Sequence, residues 1–246
     1  MELLRLVRDR GRLEVRSAAA LLGVSHETVR RDLRGLESDG LVRRSYGVAF
    51  PVESGAFETA LTYRESNNAE EKQRIASAAV EHLGEAQTLF LDEGYQTRLV
   101  AEALPDDRPF TVVTSSLPIA TRLSHRPNVQ VLILGGRVRG TTLGIVDHWA
   151  ADMLASFVID LAFIGANGVS EEAGLTTPDP AVALVKSAAV RAARHRIFVG
   201  AHHKFGVSTF VRFAALADFD TMITGMELSS SHASRFVAAG AALIRV

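Results

Sequence analysis

The chain contains no cysteine among its 246 residues. That absence excludes disulfides, thiol nucleophiles and cysteine-ligated zinc, and it fits a reducing, cytoplasmic compartment. Long apolar runs are missing as well. None reaches the ~18–20 residues that a membrane-spanning helix needs, and the N-terminal "MELLRLVRDR" carries charges where a secretory leader would have its apolar core. A large net charge is also lacking, the formal balance being −1. What remains, 47% apolar and 22% charged residues, reads as a soluble globular chain long enough for one large domain or two smaller ones.

The charge is unevenly spread. Residues 1–50 hold 10 Arg against 7 acidic residues, a net of +3, while the other 196 residues hold 17 basic against 21 acidic, a net of −4. A positive head on a negative body points to a polyanionic partner for the head alone.

The head divides at its glycines. "ELLRLVRDRG" sets Leu3, Leu4, Leu6 and Val7 on one helix face and stops at Gly11, and "VRSAAALLGVS" reads as a short helix ended by Gly23. "SHETVRRDLRGLESDG" then starts at Ser25, an N-cap residue, and ends at Gly40. Two short helices, a glycine turn and a capped, arginine-rich helix outline a helix-turn-helix. At about 100° per residue, Val29, Leu33 and Leu36 face the first two helices, while Glu27, Arg31 and Arg34 point away, flanked by Thr28 and Arg30. Such a face, led by its N-terminus, is what reading the major groove of DNA requires. "LVRRSYGVAF" reads as a basic β-wing, with Arg43 and Arg44 set to lie along a phosphate backbone. A solvated face would explain the arginines alone, but the order of the elements favours DNA contact through Ser25, His26, Glu27, Thr28, Arg30, Arg31, Arg34, Arg43 and Arg44.

Residues 51–68 have little periodicity and read as a linker between a head at 1–50 and a body at 69–246. In the body, helical patterns alternate with short apolar runs: "TLFLD" (88–92), "FTVVTS" (110–115), "VQVLILGG" (129–136), "IDLAFIGANG" (159–168), "HRIFVGA" (195–201) and "TMIT" (221–224). The alternation predicts an α/β domain with a largely parallel sheet. Ligands in such sheets sit outside the carboxyl ends of the strands. Four runs end there in small or polar residues, Asp92-Glu93-Gly94, Thr114-Ser115-Ser116, Gly135-Gly136 and Gly165-Ala166-Asn167-Gly168. After "LFLD", Gly94 and a helix starting near Gln96 outline an anion cradle, with Arg98 either a counter-charge or a surface residue.

"AALLGVSHETVRRDLRGLESDGLVRRSYGVA" strongly resembles the winged helix of the DeoR family of bacterial transcriptional regulators. Leu22, Val24, Ser25, Thr28, Val29, Arg30, Arg31, Asp32, Leu33, Leu36, Glu37, Gly40, Arg44, Gly47 and Ala49 match the family pattern, and Val48 replaces its second wing glycine. "VVTSSLPIA", "LGGRVRGTTLG", "DLAFIGANGVSEEAGLTTPDPAVALVKSA" and "HHKFG" look like successive motifs of the family's effector domain, which is similar in fold to ribose-5-phosphate isomerase. The resemblance implies a small N-terminal winged helix-turn-helix followed by a Rossmann-like α/β effector domain. It further implies a repressor of a carbohydrate operon, with double-stranded operator DNA and a phosphorylated sugar as partners, no cofactor and no catalysis. Because one winged helix reads only a short half-site, a homodimer or tetramer is expected. It also assigns Lys204 to the effector, and Lys186 either to the effector or to a structural salt bridge.

Departures from the pattern fall on the cradle. The family's D-S-G-T-T is Asp92-Glu93-Gly94-Tyr95-Gln96-Thr97, which puts a ring and an amide where hydroxyls stand and suggests stacking on Tyr95. Thr-Asn becomes Thr114-Ser115, and A-D-x-S-K-F-G loses its Asp in Gly200-Ala201-His202-His203-Lys204-Phe205-Gly206. An isomerase or hydrolase with a DNA-binding head is the rival reading, as is a constitutive binder with a degenerate pocket, but no carboxylate–base pair stands out by spacing. His202 and His203 lack a third ligand marked by spacing and read as a polar loop pair, so no metal is expected. Asp147-His148-Trp149 reads as helix capping and packing, and Asp160 as either structural or ligand-facing.

Overall fold

The computed structural model describes residues 2–39, 41–45, 47–51 and 68–246. The chain forms two compact units, Met1–Asn67 and Asn68–Val246. The side chain of Arg43 and nearly all of the predicted linker lie outside the described residues.

The first unit runs α1 (Glu2–Arg10), β1 (Leu13–Glu14), α2 (Val15–Leu22), α3 (His26–Ser38), β2 (Val42–Ser45) and β3 (Val48–Pro51). The strands pair antiparallel in the order β1-β3-β2. α2 stops because Gly23 takes a left-handed turn at φ 65°, where its N–H closes on the Ala19 carbonyl. α3 starts where the Ser25 hydroxyl accepts the Thr28 N–H at 3.1 Å. Leu3, Leu4 and Val7 of α1, Ala18 and Ala19 of α2, and Val29 and Leu33 of α3 are buried together with Val42 and Ala49 of the wing. Each fully buried Leu or Val there contributes about 1.5–3 kcal/mol.

The second unit is a doubly covered α/β sheet. α4 (Ala69–Glu81) leads to β4 (Thr88–Leu91), α5 (Tyr95–Ala103), β5 (Phe110–Thr114), α6 (Leu117–Leu123) and β6 (Val129–Ile133). A hairpin, β7 (Arg137–Arg139) with β8 (Gly144–Val146), and α7 (His148–Ala155) return the chain to β9 (Ile159–Ile164). Then follow β10 (Gly168–Ser170), β11 (Gly174–Thr177), α8 (Pro180–Ala192), β12 (Ala193–Val199), β13 (Val211–Ala214), β14 (Thr221–Thr224), α9 (Ser230–Ala238) and β15 (Leu243–Arg245). Seven strands form one parallel sheet in the order β15-β14-β12-β9-β4-β5-β6. β10, β11 and β13 make a separate antiparallel sheet.

Strand alternation divides the core. Leu89 and Leu91 of β4 join Ile75, Val100 and Ile119 on the face covered by α4, α5 and α6. Phe90 faces the other way, toward Leu154 of α7, Ala189 of α8 and Phe236 of α9. The chain builds outward from β4 to β6, returns to β9, and then builds outward to β15, so the order reverses between β4 and β9. At the amino end of that seam Asp160 accepts the Gln87 N–H (3.1 Å), the Thr88 N–H (3.0 Å) and the Thr88 hydroxyl (2.8 Å). These bonds, those from Thr88 foremost, hold its carboxyl below the usual range. Asp160 is therefore a structural tie at the end of the sheet away from the strand carboxyl ends.

Candidate functional site

In the first unit, α3 presents the face that helical geometry predicts. Val29 and Leu33 are buried, while Ser25, His26, Glu27, Arg30, Arg31 and Arg34 are exposed and Thr28 is half-buried. Glu27 reaches Arg34 at 2.9 Å and Arg30 at 3.7 Å, and Arg31 lies 3.7 Å from Asp32. Exposed pairs of this kind contribute little, about 0–1 kcal/mol, and exchange readily for phosphate or base partners. Arg44 differs. Its backbone N–H donates to Glu37 Oε1 at 2.9 Å and its guanidinium Nε to Glu37 Oε2 at 2.7 Å. The bond to Arg44 holds the Glu37 carboxyl below its ordinary range. Arg44 thus fastens the wing to the end of α3, a role the sequence reading did not give it.

In the second unit the reversal point of the sheet is occupied by Asp92, at the carboxyl end of β4. Its Oδ1 accepts the Gly94 N–H at 2.8 Å and the Thr97 hydroxyl at 2.6 Å, and its Oδ2 accepts the Gly165 N–H at 2.8 Å and an ion-paired hydrogen bond from Lys186. Lys186 Nζ also donates to the Gly165 carbonyl at 3.0 Å. Both partners are almost fully buried, so this is a dry ion pair stitching α8 to β4 and β9. Lys186 thus makes the salt bridge that was one of its two readings. Gly94 has an extended backbone at φ −71°, so conformation does not demand glycine there. Space does: a β-carbon would sit 2.9 Å from Asp92 Oδ1.

Around this pair the predicted residues sort into two groups. Phe90, Asp92, Glu93, Ser115, Ile145, Val146, Val182, Val185 and Lys186 line a closely packed pocket with no free room for a water-sized sphere. Ligand pockets usually need about 300–1,000 Å³. Glu93 is buried, accepts a hydrogen bond from the Thr142 hydroxyl, and lies so close to Gly144 that a β-carbon there would collide with its carboxylate. Thr114 is buried with its hydroxyl on the Leu91 carbonyl at 2.7 Å, and the Ser115 carbonyl accepts the Ile145 N–H at 2.6 Å. Asn167 accepts the Thr177 hydroxyl at 2.9 Å on the same side of the sheet.

The remaining predicted residues are engaged elsewhere. The Tyr95 ring has Arg98 at 4.7 Å and Lys72 at 5.4 Å from its centroid, so two cations already take the stacking role expected for a ligand. Arg98 also lies 3.9 Å from Glu102. Gln96 is buried, with its amide donating to the Lys72 carbonyl at 2.8 Å. Gly135 and Gly136 are exposed, and Gly136 serves close approach: a β-carbon there would meet the Val146 carbonyl at 2.8 Å. Lys204 is half-buried in a 3₁₀ turn, His202–Lys204, after β12. Asp147 does not cap α7 with its side chain but pairs with Arg137 at 2.7 Å, which holds its carboxyl low. Trp149 is exposed rather than packed.

Sequence reasoning missed the contribution of the β7–β8 hairpin, which delivers Ile145 and Val146 to the pocket and the Thr142 hydroxyl to Glu93. Arg139 on that hairpin donates to Asp179, the N-cap of α8, at 2.8 Å, tying the hairpin to the helix that carries Lys186. The glycine-bearing "RGTTLG" was the available signal.

Known proteins align with both units. The DeoR C terminal sensor domain matches residues 67–226, and the DeoR-like helix-turn-helix domain matches residues 1–54. The HTH-type transcriptional regulator GlpR of Haloferax volcanii is 37% identical over 239 residues, covering 97% of this chain and 93% of that protein. The glycerol-3-phosphate regulon repressor of Escherichia coli is 28% identical over 222 residues, covering 90% of this chain and 88% of its own. Ribose 5-phosphate isomerase A from Neisseria gonorrhoeae superposes with a TM-score of 0.41 at 17% identity, over 56% of this chain and 54% of that one. With a DNA-reading head and a sensor domain both matched in order, the chain belongs to the DeoR family of transcriptional regulators.

Proposed function

We propose that the protein is a cytoplasmic repressor of a carbohydrate operon whose operator affinity is set by a phosphorylated sugar bound at the carboxyl ends of β4, β5 and β9. The observation that carries this reading is the arrangement at the sheet's reversal point. α5 opens at Tyr95 with first-turn amides that have no partner within the helix, which favours an anion there. Lys204 stands at the end of β12, another strand of the same sheet. Lys186 is held by Asp92 beside Glu93, a buried carboxylate. Asp92 acts by orienting Lys186 and the Gly94 turn, since both of its oxygens are occupied. The name of the Escherichia coli relative, a glycerol-3-phosphate regulon repressor, favours regulation around a small phosphorylated metabolite.

Exposed arginines on α3 support operator reading. One winged helix reads a short half-site, so useful specificity calls for at least two copies. Exposed Leu132 and Ile133 on edge strand β6, with Trp149 and Met153 of α7, support self-association. The test is fluorescence anisotropy of an operator duplex with the full chain, with and without a panel of sugar phosphates. A shift in affinity with one phosphorylated sugar, absent with the unphosphorylated sugar, is expected. No response to any phosphorylated sugar overturns the effector assignment, and equal affinity for operator and random DNA overturns the operator assignment.

A further inference from the structure

Three side chains far apart in sequence meet beside the turn that follows β12. Glu71, in the first turn of α4, is 3% exposed. Its Oε1 accepts the backbone N–H of His202 at 2.6 Å, and its Oε2 lies 2.8 Å from His202 Nδ1. Glu227, just past β14, completes the group: one potential ligand atom from each of Glu71, His202 and Glu227 lies within 4.8 Å of the other two. The cluster has a purpose-made floor. A β-carbon on Gly225 would run into the carboxylates of both Glu71 and Glu227, so the glycine makes room for two acids to converge. Arg74 donates to Glu227 Oε1 at 2.6 Å and holds that carboxyl ionised, but it answers only the outer acid. Of the two converging carboxylates, the buried one is answered by His202 and the outer one by Arg74. A divalent ion bound through His202 Nδ1 would replace the His202–Glu71 hydrogen bond and hold both acids at once.

An imidazole nitrogen and two carboxylate oxygens suit zinc-like ions, whereas magnesium and calcium prefer oxygen alone. We infer that Glu71, His202 and Glu227 form a binding site for one divalent ion of the zinc class, such as Zn²⁺ or Co²⁺. The ion would tie the start of α4 and the end of β14 to the turn that carries Lys204. This site is separate from the pocket at Asp92 and does not depend on the effector assignment.

The test uses the full chain, free of affinity tags and stripped with a chelator. It is titrated with Co²⁺ and followed by visible absorption, then competed with Zn²⁺ and with excess Mg²⁺. Saturation at one Co²⁺ per chain, displacement by Zn²⁺ and indifference to Mg²⁺ are expected. Even partners outside a ligand set change metal affinity about 10–100-fold, so His202→Gln and Glu227→Gln should each weaken binding at least about tenfold. Glu71→Gln tests the buried ligand if its circular dichroism melt is native. If it does not fold, the other two variants decide, because their side chains are partly or fully exposed. The absence of saturable Co²⁺ absorption in the wild type, leaving only a Glu71–His202 hydrogen bond, overturns the proposal. So does unchanged affinity in His202→Gln and Glu227→Gln.

Discussion

Replacing Lys186 with Met removes the ammonium but keeps most of the side chain's volume, so the response isolates the buried charge pair. Asp92 would then be a carboxylate with 1% exposure, left with the Gly94 and Gly165 N–H groups at 2.8 Å each and the Thr97 hydroxyl at 2.6 Å. Removing one member of a buried pair costs about 3–5 kcal/mol, and three surviving donors place this case near the lower end, at about 3 kcal/mol. For a unit of this size each kcal/mol lowers Tm by about 2–4 °C, so a loss of about 6–12 °C is expected by scanning calorimetry. Peptide-resolved hydrogen exchange should locate the damage at β4 and β9, with protection in α3 unchanged. Asp92→Asn should be no milder, because Lys186 would lose its counter-charge and keep the Gly165 carbonyl at 3.0 Å and the Phe213 ring. Combining the two removes both charges and should cost less than the sum by at least about 1 kcal/mol. A Lys186→Met protein within 1 kcal/mol of wild type, or strict additivity in the double variant, would refute the account of the pair as a desolvated clamp.

Four further outcomes are expected. Arg31→Ala should cost about 1–3 kcal/mol on the cognate operator and flatten discrimination at one base position, whereas equal losses on random DNA would remove Arg31 from base reading. Glu37→Gln should reproduce the operator-binding loss of Arg44→Ala, since both unfasten the wing; full binding by Glu37→Gln would return Arg44 to a simple phosphate contact. Gly94→Val should push its β-carbon onto Asp92 and lose the effector response while α3 still binds operator, with anisotropy in the presence and absence of ligand as the readout. The fourth concerns acid. The folded Asp160 carboxyl titrates below its ordinary value of 3.8, so its contribution to stability is complete above that pH and is lost as pH falls through the lowered value. Urea midpoints of Asp160→Asn should therefore converge on those of wild type as pH drops below about 4, and a constant gap would contradict the sign.

The parts of this structure that were legible beforehand are those written in local pattern. Leucine and valine spacing with Gly23 and Ser25 marked the helices of the head, and six apolar runs marked six of the seven strands of the parallel sheet. β15 escaped because "LIR" is too short to show a period. β10, β11 and β13 escaped because "GVS", "GLTT" and "VRFA" take their strand character from one another rather than from composition. Within the site, Asp92 and Gly94 stood out as the end of a strand and the start of a turn. Their meaning depended on Lys186, 94 positions away from Asp92, and on Gly144, which yields its side-chain space to Glu93. Tyr95 was read as an open platform because spacing alone does not reveal that Lys72 of α4 reaches its ring. His202 and His203 looked like an isolated pair because Glu71 lies 131 positions earlier in the chain.

The tight fit of Glu93 against Gly144 has a kinetic consequence. If the proposed phosphorylated sugar binds in this pocket, which is closed as it stands, the Glu93 side chain has first to leave Thr142 and swing aside. On that reading ligand capture would wait on a rotamer exchange, and the apparent dissociation constant would be the intrinsic one divided by the fraction of molecules in the open state. Raising the metabolite concentration should drive the observed capture rate to a plateau equal to the rate at which Glu93 opens. Glu93→Ser should remove that plateau, turning a gated sensor into one whose response rises in proportion to how often ligand arrives.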